Sequence, residues 1–132
     1  MAKEVRQLRV VVRAEDYDSA VAFYRDALGL PEEASYRGGD GAEVTILDAG
    51  RATLEIANVE QVQMIDEVEV GQQVSPHIRI AFEVTDVVEH TDALSHAGAA
   101  VIAAPTETPW RSLNARLDGP AGLQLTLFQE LD

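Results

Sequence analysis

The sequence predicts an α+β domain in which two tandem βαβββ modules form a curved mixed sheet with a concave cleft. The length of 132 residues corresponds to one domain, and a composition of 46% hydrophobic and 25% charged residues is that of a globular protein. The same order of strands and helix also occurs twice. Neither module can bury the apolar face of its sheet with one helix, so we expect the modules to pair, within one chain or between two chains.

The first module, residues 1–57, begins with a β-branched run at 8–13 that predicts a strand. A helix is predicted from Asp16 to Gly29. Apolar residues recur there at helical spacing, Asp16 can cap the first turn, and Gly29 can adopt the left-handed conformation after the last. Glycine-containing turns separate the three further strands predicted near residues 33–36, 43–47 and 52–57.

Residues 58–76 are polar and acidic, and we interpret them as a connector, to which no helix or strand is assigned. The second module, residues 77–132, then repeats the first. Asp86 stands 70 residues after Asp16 and can cap a second helix that ends at Gly98. A strand at 78–84 precedes this helix, and three strands follow it near residues 100–103, 113–117 and 123–128.

Charge and composition exclude several classes of function. The formal net charge of −13 would repel a nucleic-acid backbone. The absence of cysteine excludes disulfides, thiolate zinc sites and a cysteine nucleophile. The N-terminus lacks the apolar segment of a signal peptide, and no run approaches the roughly 20 apolar residues of a membrane span. We therefore expect a cytoplasmic protein with no nucleic-acid and no membrane partner.

The two faces of the predicted sheet differ in chemistry. Alternate strand positions are aliphatic and should face the helices, as at Val10, Ile78, Ile80 and Leu125. The positions between them should face the cleft. Candidate ligand-binding residues among these are Arg9, Arg13, Glu55, His77, Arg79, Thr126 and Phe128.

Four segments together resemble a known family. They are AFYRDALGL at 22–30, TLEI at 53–56, IAFEVTD at 80–86 and DGPAG at 118–122. In this order, within a duplicated βαβββ plan, they resemble the vicinal oxygen chelate superfamily of glyoxalase I, extradiol dioxygenases, fosfomycin-modifying enzymes and bleomycin-resistance proteins. The resemblance covers nearly the whole chain. It implies the glyoxalase/bleomycin-resistance fold and a homodimer, because many members build their clefts from the paired modules of two chains.

The resemblance also implies where a metal would bind. Metal enzymes of the superfamily hold their ion with His, Glu, His and Glu on the first, fourth, fifth and eighth strands, positions that correspond here to Arg9, Glu55, Arg79 and Thr126. A guanidinium stays protonated and has no lone pair to offer, and a threonine is a poor replacement for a carboxylate. We therefore expect no metal and no other cofactor, and the sequence favours a protein that is not an enzyme.

A binding function follows from these residues. If the four positions converge, Glu55 can bridge Arg9 and Arg79, either as a structural cluster or as part of a ligand site. Trp110, in the loop 106–112, is either a hydrophobic plug or a stacking platform for a planar ligand, together with Phe128. We expect a metal-independent small-molecule-binding protein, sequestering or accessory, whose ligand is a small organic molecule that is aromatic or carries an oxyanion.

Two alternatives stay open. The first is a metal-dependent lyase or dioxygenase of the same superfamily with Glu55 and His77 at the ion, although His77 reaches that position only through a register slip of two residues. We interpret His77 rather as a histidine at the rim of the cleft. The second alternative is a non-catalytic scaffold whose exposed acidic connector, residues 58–73, binds a partner.

Overall fold

The computed structural model describes residues 10, 12, 14–37, 41–52 and 59–132. In this part of the chain, no helix is both long and apolar enough to cross a membrane. The elements follow one another as helix α1 (Tyr17–Val21) with a wider π-type continuation (Ala22–Ala27), strands β1 (Glu32–Arg37) and β2 (Glu43–Leu47), helix α2 (Val59–Glu69), strand β3 (Ile80–Glu83), helix α3 (Val87–His96), and strands β4 (Ala100–Glu107), β5 (Ser112–Asp118) and β6 (Gln124–Glu130).

The described strands form two sheets. Strands β1 and β2 pair antiparallel, and the other four lie in the order β3-β6-β5-β4. Strand β3 runs parallel to β6, whereas β5 is antiparallel to both of its neighbours. The predicted α+β class is confirmed. The predicted strands at 8–13 and 52–57 fall largely outside the described residues, and the module boundaries stay predictions.

Both predicted helix starts are confirmed by their caps. The Asp16 carboxylate accepts a hydrogen bond from the Ser19 amide at 3.2 Å, and the Asp86 carboxylate accepts one from the Glu89 amide at 3.0 Å. Each satisfies an amide that has no partner within its own helix. Aspartate thus caps both helices, at positions 70 residues apart.

The hydrophobic core lies between α3 and one face of the four-stranded sheet. Helix α3 contributes Val87 and Leu94, and both are fully buried. The sheet contributes Leu117, Leu125 and Leu127, which are also fully buried. The aliphatic face predicted for β6 is therefore confirmed.

Two residues expected in the same apolar layer are exposed instead. Val10 is 54% exposed and Ile78 is 62% exposed. For Ile78 the reason is that β3 begins only at Ile80, two residues later than the predicted strand. The alternation of buried and exposed side chains therefore starts after this position.

The connector differs from the prediction. Residues 59–69 form the 11-residue helix α2, whereas the sequence analysis assigned no helix there. Its description as an exposed acidic segment is wrong for Asp66 and Glu69, which are 1% and 5% exposed. Met64 on the same helix is 44% exposed. Apolar residues do recur every three positions at Val62, Ile65 and Val68, but the acids beside them made the segment look like a solvated connector.

Candidate functional site

The face of the four-stranded sheet opposite the core is polar and buried. Arg116 on β5 lies beside Thr126 on β6 in the strand register, and the residues on either side of each, an alanine and three leucines, belong to the core. Both side chains are inaccessible, at 0% and 2% exposure. We call the residues of this surface the polar face: Ser112, Asn114, Arg116, Gln124 and Thr126, all of them buried.

Arg116 is held by two carboxylates from α2. Its Nη1 donates to Asp66 Oδ1 at 2.8 Å, and its Nη2 donates to Glu69 Oε1 at 2.8 Å. Nη1 also donates to Ser75 Oγ at 3.1 Å and to Gln124 Oε1 at 3.0 Å. The Nε–H group is buried and has no hydrogen-bond partner. One buried cation therefore faces two buried acids and keeps one donor unused.

The segment after α2 completes the attachment. Asp66 Oδ2 accepts hydrogen bonds from the amides of Val74 at 3.0 Å and Ser75 at 2.9 Å. Gln124 Nε2 donates to the Val74 carbonyl oxygen at 3.0 Å. Asn114 Nδ2 donates to Glu69 Oε2 at 2.6 Å. Residues 59–75, which we call the strap, are thus fastened across the polar face mainly by polar contacts.

The Asp66 carboxylate is stabilised in its charged form. Burial raises the pKa of this carboxyl, but hydrogen bonds from the Ser75 hydroxyl, the Arg116 guanidinium and the amides of Ser75 and Val74 outweigh that effect. The net result lowers the pKa from 3.8 to about 2. Asp66 therefore stays ionised at any physiological pH, and its attraction to Arg116 is permanent under these conditions.

Three of the predicted site residues lie together beside this network. Arg79 Nη1 donates to Thr126 Oγ1 at 2.5 Å, across a sequence separation of 47 residues. Phe128 lies two positions beyond Thr126 on the same face of β6 and is half-buried. Thr126 also pairs with Arg116 in the strand register, so its neighbours include two arginine residues.

The other predicted residues are placed differently. His77 is exposed and precedes β3, and Trp110 is 44% exposed in the turn between β4 and β5. Neither belongs to the buried part of the polar face. Arg9, Arg13 and Glu55 lie outside the described residues, so the expected bridge from Glu55 to the two arginines stays a prediction.

The sequence analysis missed Arg116 and its two acids. For Arg116 a signal was present, because β5 alternates polar and apolar residues from Asn114 to Leu117, the same pattern that placed Arg79 on the cleft face. For Asp66 and Glu69 there was no comparable signal. When its cationic partner is not known, an acidic helix is interpreted as a solvent-exposed one.

The residues of this site do not fit a divalent metal ion. Arg79 and Thr126 stand at two of the four positions where the resemblance implies metal ligands, and their contact shows that these two positions do converge. A guanidinium repels a cation and offers it no lone pair. Within residues 10, 12, 14–37, 41–52 and 59–132, no three His, Cys, Asp or Glu side chains are grouped so that they could hold a metal.

Comparison with known proteins agrees with the fold. Solved structures with similar folds include a hypothetical protein from S. aureus (TM-score 0.58, 15% identity, covering 96% of this chain and 95% of that one). A glyoxalase-related enzyme from Fulvimarina pelagi has a TM-score of 0.58 and 17% identity, with 96% and 89% of the two chains covered. A glyoxalase family protein from Bacillus cereus has a TM-score of 0.55 and 17% identity, with 99% and 100% covered.

A search of curated proteins found no match. The model of one family, described as the Glyoxalase/Bleomycin resistance protein/Dioxygenase superfamily, matches residues 6–127. This match spans nearly all of the sequence and agrees with the fold of the solved structures. On this evidence the chain belongs to the glyoxalase/bleomycin resistance protein/dioxygenase superfamily.

Proposed function

We propose that this chain is a metal-independent small-molecule-binding protein that holds an oxyanion-bearing aromatic compound beside Arg79, at the edge of the polar face, as a sequestering or accessory protein. The observation that carries the proposal is the hydrogen bond from Arg79 to Thr126. By the resemblance, Arg79 and Thr126 correspond to two of the positions that carry metal ligands in the superfamily's metal enzymes. A guanidinium at such a position supports an anion, rather than a metal ion, as the bound species.

The chemistry of arginine supports an anionic ligand. A guanidinium presents a planar fork of donors that matches a carboxylate or a phosphate, and charge-assisted hydrogen bonds of this kind are stronger than neutral ones. Arg79 is half-buried and adjoins Thr126. A ligand oxyanion beside Arg79 would meet its positive charge, despite the net charge of −13 of the whole chain, whereas the charge of Arg116 is already paired with Asp66 and Glu69.

The aromatic part of the ligand has a surface available nearby. Phe128 lies on the same face of β6 as Thr126 and is half-buried, so one side of its ring can still take an apolar contact. Trp110, at 44% exposure, is a second aromatic surface at the turn between β4 and β5. We retain both as candidates for contact with a planar ring.

A different depression on the surface suits such a ligand poorly. It lies at the carboxyl ends of β3 and β6, and its lining includes Glu83, Thr85 and Glu130. Two carboxylates there would repel an anion. The polar face is therefore the better location for the ligand of this proposal.

Calorimetric titration with benzoate, phenylphosphonate and neutral benzamide tests the proposal. We expect the two anions to bind and benzamide to bind at least about tenfold more weakly. Arg79→Met should weaken benzoate binding by a similar factor. Arg37→Met is the matched control. The Arg37 side chain is 84% exposed and forms a salt bridge to Glu43 on the neighbouring strand. Benzamide binding equal to benzoate, or an unaffected Arg79→Met variant, would refute the proposal.

Native mass spectrometry with added zinc, manganese or iron tests the absence of a metal. The proposal requires that no stoichiometric ion is retained and that benzoate affinity is unchanged. One ion per chain would favour the metal-dependent lyase or dioxygenase instead. The same spectra test our further proposal that the chain forms a homodimer.

A further inference from the structure

The strap is attached to the sheet in an unusual manner. A helix that packs on a sheet normally buries an apolar stripe, but the side chains that α2 buries most deeply are the two acids Asp66 and Glu69. Its apolar residues Val62, Ile65 and Val68 are only half-buried, and Met64 is 44% exposed. The most deeply buried contacts that release of the strap would break on α2 are therefore polar ones.

The charge of the attachment is unbalanced. Asp66 and Glu69 each pair with Arg116 at 2.8 Å, so a single positive charge is shared between two negative ones. The Arg116 Nε–H group is meanwhile completely buried and has no acceptor. A buried donor without a partner costs free energy. A single ligand oxyanion bound along the Nε–Nη edge of the guanidinium would satisfy this donor and remove the surplus charge.

We propose that the strap is a removable cover and that Arg116 beneath it is an oxyanion-binding residue, with Asp66 and Glu69 holding the place that a ligand carboxylate or phosphate takes when the strap lifts. This inference rests on the proposed function, since it adds a second anchoring cation and a gate to the same polar face. It assigns a role to three residues that the Arg79 site does not use.

When the strap lifts, a ligand anion replaces the strap carboxylates on Arg116, so the guanidinium keeps an anionic partner. Two of the contacts that the strap makes with Arg116 are carboxylate–guanidinium pairs, and a ligand carboxylate or phosphate offers the same acceptor geometry. The third, to the Ser75 hydroxyl at 3.1 Å, is a neutral acceptor that a second ligand oxygen can replace. The displaced acids do not remain buried and unpaired, because on a lifted strap they return to water. A buried ion pair opened in this way avoids the large penalty that follows when one partner is removed and the other stays buried.

Hydrogen–deuterium exchange measured by mass spectrometry tests whether the strap is a cover. In the variant Asp66→Asn/Glu69→Gln, the carboxylates on Arg116 become neutral amides. We expect amide exchange in residues 59–75 to rise at least about tenfold while β5 and β6 remain protected. The matched control is Glu60→Gln/Glu67→Gln, which removes the same charge from two exposed positions of α2 and should leave exchange in the strap unchanged.

The second measurement tests Arg116 with inorganic phosphate as the probe. The Arg116 Nε–H signal, assigned by its loss in Arg116→Lys, is followed by NMR during phosphate titration. In Asp66→Asn/Glu69→Gln the half-saturating phosphate concentration should fall at least about tenfold below that of the unmodified protein. The control variant should match the unmodified protein.

Four results would overturn the inference. Exchange in residues 59–75 that is unchanged in the double variant would show that the acids do not fasten the strap. Exchange that rises equally in β5 and β6 would show that the strap is an integral part of the core, and so would failure of both the double variant and Asp66→Asn alone to fold. Phosphate binding that is the same in all variants would remove Arg116 as an oxyanion site.

These outcomes are distinct from failure of the proposed function. If no aromatic anion binds to the unmodified protein or to the double variant, the proposed function fails. If benzoate binds and depends on Arg79 while the strap exchanges identically with and without benzoate, only the inference about the cover fails.

Discussion

Replacement of Asp66 by asparagine removes one negative charge from the strap with almost no change in side-chain shape. The asparagine can still accept hydrogen bonds from the backbone amides of Val74 and Ser75, which now reach Asp66 at 3.0 and 2.9 Å. What it loses is the charge that pairs with Arg116 at 2.8 Å and the acceptor Oδ1, whose place is taken by an NH2 group facing the donors Arg116 Nη1 and Ser75 Oγ. The substitution therefore measures the charged pair together with its hydrogen bonds, while the contacts of Oδ2 are kept.

The size of the effect follows from the pKa. The folded protein lowers the pKa of Asp66 from 3.8 to about 2. At about 1.4 kcal/mol per pKa unit, this shift corresponds to a stabilisation of about 2 kcal/mol at neutral pH. Because the pKa is lowered on folding, the stabilisation is complete above pH 3.8 and is lost as the pH falls towards 2. Asp66→Asn should lack this contribution at every pH.

Urea unfolding followed by far-ultraviolet circular dichroism measures both quantities. We expect Asp66→Asn to lower the free energy of unfolding by about 2 kcal/mol at pH 7. The difference from the unmodified protein should shrink between pH 4 and pH 2, as linkage requires of a carboxyl with a pKa of about 2. Glu67→Gln, at an exposed position of the same helix, should change stability by less than about 0.5 kcal/mol. A loss at pH 7 no larger than that of Glu67→Gln, or a difference that does not vary down to pH 2, would refute this reasoning.

Three further substitutions test the packing, each by urea unfolding. Tyr24→Phe removes the hydrogen bond from the Tyr24 hydroxyl to the Pro120 carbonyl oxygen and should cost about 1 kcal/mol. Burial raises the pKa of Tyr24 to about 12, so this variant should also lose less stability between pH 10 and 12 than the unmodified protein does. Gly119→Ala would place a methyl group 2.8 Å from the Tyr24 hydroxyl and 3.0 Å from Leu125 Cδ1, which should cost about 1–3 kcal/mol. Tyr24→Phe should relieve part of that cost in the double variant, and strict additivity of the two losses would contradict the predicted clash. Leu94→Ala, at a fully buried position, should cost about 2–5 kcal/mol, and a loss under about 1 kcal/mol would show that α3 does not pack as described.

The elements that the sequence predicted well are those whose signals are local. Asp16 and Asp86 cap their helices as expected, because a cap needs only an amide three residues away. The alternation in β6 identified the buried leucines, since a strand has a period of two. The same alternation placed Arg79 and Thr126 on one face, and the structure joins them by a hydrogen bond.

The helix in the connector was not predicted, because its acidic residues are typical of an exposed segment. Its acids suggest a solvated surface, and two of them, Asp66 and Glu69, occupy its most deeply buried positions, where apolar residues are expected. The burial of Asp66 and Glu69 depends on their ion pairs with Arg116. Composition indicated an exposed acidic segment, and for these two acids the opposite holds.

The sequence by itself determined the α+β class, the starts of two helices and the polar character of one face of the sheet. Periodicity and helix caps act over a few residues, so they can be read without knowledge of the fold. Only the tertiary structure decided that the strap lies on that face. Asp66 and Arg116 are 50 residues apart in the chain. A pairing over that distance depends on where an entire segment docks, and it leaves no periodic pattern in the sequence on either side.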